Sequence, residues 1–72
     1  MRLTAIDDEG RLHALEVADV YYDEDDRELT VTTVTDYEYT VEDIDRYRAE
    51  ELIRRLAEDG KAELESQFRI TE

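Results

Sequence analysis

A chain of 72 residues without cysteine can use neither disulfides nor thiolate-bound metal to support the thin core that such a length allows. One histidine, His13, excludes the usual histidine-rich zinc arrangements, and no run approaches the roughly 20 apolar residues of a membrane span. Twenty-two acids against nine bases leave a net charge of −13, a field that repels phosphate and argues against direct nucleic-acid binding.

Lys61 is the only lysine; every other base is arginine. High acid content, scarce lysine and small fillers such as Thr and Ala resemble proteins of salt-accumulating halophiles, in composition and not as a family. Self-repulsion at this charge weakens the compact state in dilute buffer. Salt relieves it, because the screening length falls from about 10 Å at 0.1 M to about 3 Å at 1 M. A hydrophobic content of 40% with clear periodicity argues for a folded domain over an acidic disordered tail. The stretch "MRLTAIDDEG" carries no apolar secretory segment, so a cytoplasmic protein is expected.

The first element predicted is a hairpin over "LTAIDDEGRLHAL", with Gly10 free to adopt the positive φ of a tight turn. The strand that follows, residues 12–22, is apolar on both faces. By parity Leu12, Ala14, Ala18, Val20 and Tyr22 share one side, and Leu15, Val17 and Tyr21 share the other. Next, "DEDDR" at 23–27 reads as a loop, because "ELTVTTVT" behind it is β-branched at nearly every position. As a calcium loop it fails, lacking a glycine at its sixth position and an acid at its twelfth, where Val34 stands.

Tyr37 and Tyr39 alternate with Asp36, Glu38 and Thr40 in a short strand. Thr40 and Asp43 resemble a capping box, and Val41, Ile44, Ala49, Leu52, Ile53 and Leu56 then fall on one stripe. A helix over 41–59 is predicted, closed by Gly60 at its C-terminus. "KAELESQFRI" reads as one strand, with Ala62, Leu64, Ser66, Phe68 and Ile70 on its buried face.

The expected fold is a single α+β domain over residues 1–72: an antiparallel sheet in the order β-β-β-(β)-α-β with one amphipathic helix on one face. One helix covers one face of a sheet, which leaves Leu15, Val17 and Tyr21 outward, near Tyr37 and Tyr39. Such a patch calls for a partner. These five residues are the expected interface of a homodimer, and Val17→Glu is expected to split it.

No nucleophile, phosphate loop or catalytic triad is present, so no catalytic, cofactor-binding or metal residue is assigned and no enzyme is expected. Arg46, Arg48, Arg54 and Arg55 could form a basic strip, but Glu42–Arg46, Glu50–Arg54 and Glu51–Arg55 have the spacing of i,i+4 ion pairs. The expected function is a small acidic interaction or regulatory module, acting on itself or on a partner protein. The alternative is an acidic mimic of nucleic acid, or a subunit docking on a basic protein.

Overall fold

Gly10, at φ 83°, takes the left-handed backbone of the first turn. Asp7 closes that turn, its Oδ1 accepting from the N–H groups of Glu9 and Arg11 at 2.9 Å each. The computed structural model describes residues 1–72 as six strands and one helix. Strand β1 (Arg2–Asp7) and strand β2 (Leu12–Asp23) flank this turn in antiparallel register, Leu3 opposite Leu15. The acidic loop is the second turn. Asp23 Oδ1 accepts from the N–H groups of Asp25 and Asp26, and Arg27 takes a positive φ of 56° before β3 (Glu28–Thr33) begins.

Strand β2 corrects the expected faces. Val17 pairs with Thr33 but Asp19 pairs with Thr32, so Ala18 is an extra residue, a β-bulge. An extra residue flips the parity of everything beyond it. Leu15 and Val17 before the bulge, and Val20 and Tyr22 after it, therefore all point inward. Leu15 is 6% exposed and Val17 3%. The pairing also changes near the bulge: Leu12–Glu16 pair with β1, and Val17 and the residues beyond Ala18 pair with β3.

Strand β4 (Glu38–Val41) completes an antiparallel meander, Val31 opposite Tyr39. Helix α1 (Arg46–Asp59) then returns the chain to β5 (Lys61–Glu63) and β6 (Arg69–Thr71). Strand β6 pairs antiparallel with β4 and parallel with β1. Five strands of alternating direction can close only through one parallel pair, and β1–β6 is that pair. The α+β class holds, but the open sheet with two faces does not: β1, β2, β3, β4 and β6 form a closed barrel, with β5 as an extra strand beside β1. A small barrel fills its interior with side chains and has no second apolar face to cover.

The helix starts later than predicted. Val41 belongs to β4, and Asp43 at φ 59° breaks the chain before the helix can form. Ile44 N–H donates to the Arg27 carbonyl at 3.1 Å, tying this linker to the second turn. No capping box forms. The N-cap is Asp45, whose side chain leaves the helix N–H groups free and pairs with Arg48 at 3.3 Å. At the other end Gly60, at φ 73°, donates to the Leu56 carbonyl as expected of a C-cap. Ala49, Leu52 and Leu56 join Leu3, Leu29, Val31, Val41 and Ile70 in one core. Because β4 ends and β5 begins where α1 attaches, the helix sits at one end of the barrel, with Tyr22 Oη donating to the Ile44 carbonyl at 2.7 Å.

The last segment is two strands, not one. Leu3 pairs with Ala62 while Ile6 pairs with Arg69, so the two registers on β1 are four residues out of step. Leu64 stays in the core with its N–H donating to the Thr4 carbonyl at 2.8 Å, and the surplus loops out over 65–68, where Phe68 N–H donates to the Glu65 carbonyl and Ser66 is exposed instead of buried. Arg48 holds this excursion against α1 by pairing with Glu65 and lying 5.8 Å from the Phe68 ring centre. No helix is long and apolar enough to cross a membrane.

Candidate interaction surface

The end of the barrel opposite α1 is where β1 and β3 finish and β2 and β4 begin. The turn over 34–37 is built from Thr33: its N–H donates to the Tyr37 carbonyl at 2.8 Å, and its buried Oγ1 accepts from Tyr37 N–H at 3.1 Å. Asp36 takes φ 67° to make the reversal. This pins Val34 and Tyr37 outside the barrel, 63% and 56% exposed. Leu12, at the start of β2, is 70% exposed. Ala14, Leu15, Val34, Tyr37 and Tyr39 border a depression of about 260 Å³ at this end.

One strand edge here is open. Val17 N–H donates to the Met1 carbonyl, and Asp7 N–H donates to the Arg11 carbonyl. Odd-numbered residues of this part of β2 therefore turn their backbone groups toward β1. By alternation Leu12, Ala14 and Glu16 turn theirs away from it. Strand β3 ends at Thr33, and past it only Val34 N–H reaches back, to the Glu16 carbonyl at 3.0 Å. The N–H and C=O of Leu12 and Ala14 are left without a strand partner.

Beside this edge, His13 Nε2 lies 2.7 Å from Asp7 Oδ2, and the His13 ring is 6.2 Å from that of Tyr39 across the barrel mouth. The His13 contact, then the Arg11 and Glu9 N–H groups, hold the Asp7 carboxyl below the usual carboxylate range. These bonds occupy both partners in closing the hairpin. Elsewhere no three His, Asp or Glu side chains converge in a metal-holding arrangement.

Of the five residues expected to form an interface, Leu15, Tyr37 and Tyr39 come together around the depression. Val17 lies wholly in the core. Tyr21 is exposed but stands beyond the bulge, opposite Thr30, away from the others. Leu12, Ala14 and Val34 were not singled out with this group by sequence reasoning. The run "TVTDY" did hold a signal, since Val34 is an apolar residue stranded inside a turn. The arginine strip is largely neutralised; the expected Glu51–Arg55 pair forms, whereas Glu42–Arg46 and Glu50–Arg54 do not. Arg46 bridges Glu50 and Glu24, Arg48 bridges Asp45 and Glu65, and Arg55 bridges Glu51; Glu42 lies outside the helix, and Arg54 has no ion pair.

The chain matches no protein-family model, no curated protein and no solved structure.

The charges around the open edge are mostly acidic. Glu16 is paired with Arg2 at 3.0 Å and Arg11 with Glu9 at 3.0 Å, while Asp36 in the adjoining turn and Glu38 at the start of β4 have no ion pair. The surface offers backbone donors and acceptors, an apolar depression and a negative rim.

Proposed function

We propose that the protein is a non-catalytic interaction module that docks a basic segment of another protein at the barrel end opposite α1. The observation behind this reading is the coincidence, at that one end, of exposed Leu12, Val34 and Tyr37 with an unsatisfied strand edge and an acidic rim. Exposed apolar groups ringed by polar ones mark contact surfaces. Tyrosine suits such a surface because it joins a large apolar body to a polar tip.

A homodimer through this face is the weaker reading. In a two-fold interface the same patch meets itself, which would set Glu16, Asp36 and Glu38 against their own images. Leu15 and Val17, on which the dimer rested, face inward. The composition fits a salt-rich cytoplasm, where docking has to survive screening and so needs the apolar and backbone contacts as well as charge.

Affinity capture from a lysate in about 1 M KCl, with wild type beside the double variant Val34→Asp, Tyr37→Asp, tests this reading. The expected result is a partner with a basic segment, retained by wild type and lost by the variant. A partner released by added DNA would favour nucleic-acid mimicry instead. Equal retention by both proteins, or turnover of a small substrate by the purified chain, would contradict the proposal.

A further inference from the structure

We propose that the partner segment binds as an added β-strand along Leu12–Glu16, and that it alternates lysine or arginine with apolar residues. This inference rests on the docking role proposed above and specifies its mode. Strand β3 stops at Thr33 while β2 continues past it, so an extended chain can prolong the line of β3 along β2. It would meet the free N–H and C=O groups of Leu12 and Ala14, next to the point where Val34 N–H already holds the Glu16 carbonyl. Main-chain bonds of this kind supply affinity, and pockets for alternate side chains supply specificity.

The period of two follows from strand geometry. Side chains on the barrel side would enter the depression between Ala14, Leu15, Tyr37 and Tyr39. Those on the other side would lie near Glu16, whose carboxylate is shared with Arg2, while Asp36 in the adjoining turn and Glu38 in β4 carry unpaired charge. A basic residue there gains from a rim that is acidic within a chain of net charge −13. A second copy of this chain would bring acids to the same place. Open strand edges are commonly blunted by Lys, Pro or a covering loop. Residues 12–14 have none of these, and the bulge at Ala18 lies beyond them.

The probe is a short fluorescent peptide alternating lysine and valine, titrated into the full chain in about 1 M KCl and read by anisotropy. Three comparisons accompany it: the same peptide methylated on alternate backbone nitrogens, a glutamate–valine peptide, and the protein variant Ala14→Pro. The N–H of Ala14 faces away from β1, so proline removes a docking donor without breaking the β1–β2 ladder. An unchanged melting profile checks that the variant folds, and the methylated peptide makes the same test without touching the protein.

Saturable binding of the lysine–valine peptide is expected, weakened about tenfold or more by backbone methylation and by Ala14→Pro. Equal affinity for the methylated peptide would overturn strand addition while leaving a basic partner intact. Equal affinity for the glutamate–valine peptide would overturn the basic partner while leaving strand addition intact. Absence of binding by every peptide would overturn this inference, leaving the docking reading to stand or fall on the capture experiment.

Discussion

Val17 and Asp7 show how single residues decide the fold. Val17 is enclosed on all sides, so Val17→Glu forces an unpaired carboxylate into an apolar core. The penalty is several kcal/mol, comparable with the roughly 3–5 kcal/mol that a core of this size supplies. The variant should lose its cooperative thermal transition by circular dichroism; a folded variant would mean that Val17 faces solvent. Asp7 acts through protonation. Its carboxyl is held below its ordinary value of 3.8 by His13 and by the turn N–H groups, so the folded state binds that proton less readily than the unfolded chain. The resulting stability is present above the unfolded value and is lost as pH falls through 3.8 toward the lowered folded value. Asp7→Asn should therefore flatten the acid side of a stability-against-pH profile, with the difference from wild type shrinking as pH drops below about 4. Parallel wild-type and variant curves through that range would show that the turn does not depend on the charge.

At the scale of elements, Ala18 governs which face of β2 is apolar. Deleting it should put either Leu15 and Val17 or Val20 and Tyr22 on the wrong side. Each fully buried side chain so exposed costs about 1.5–3 kcal/mol, enough together to unfold the domain. Ala18→Ser keeps the extra residue at an exposed site and should stay within about 0.5 kcal/mol of wild type in urea melts. A deletion variant as stable as wild type would show that the register adjusts elsewhere. Here the sequence was legible for most of the local structure, the helix start excepted, where Asp43 at φ 59° stands in place of the expected capping box. The turn at Gly10, the acidic loop at 23–27, the Tyr39 part of the short tyrosine strand and the Gly60 cap follow from neighbouring residues, while Tyr37 falls in the turn before β4. The bulge was not legible, because "EVADVYY" alternates equally well with or without it. The break at 64–68 was hidden too, since it reflects two separate pairings with β1 and not any local breaker. Tyr37 and Tyr39 were found at the candidate site by residue type. The open edge beside them depends on where β3 stops, which no run of residues states.

For the whole molecule, closure replaces the two-faced sheet and removes the need for a second copy to cover it. Charge remains the dominant global property. Ion pairs engage a minority of the acids, so most of the repulsion is uncompensated by local contacts. The melting temperature should rise by several degrees or more between about 0.1 and 2 M KCl as that repulsion is screened. A flat or falling curve would show that the acids are balanced where they stand. The docking surface is tested most directly by amide chemical-shift mapping of the isotope-labelled chain with the lysine–valine peptide in about 1 M KCl. Docking at the open barrel end predicts shifts concentrated in residues 12–16 and 33–39, with α1 and the 23–27 loop unmoved. Shifts centred on the acidic loop and the helix, or spread evenly over the surface, would contradict it.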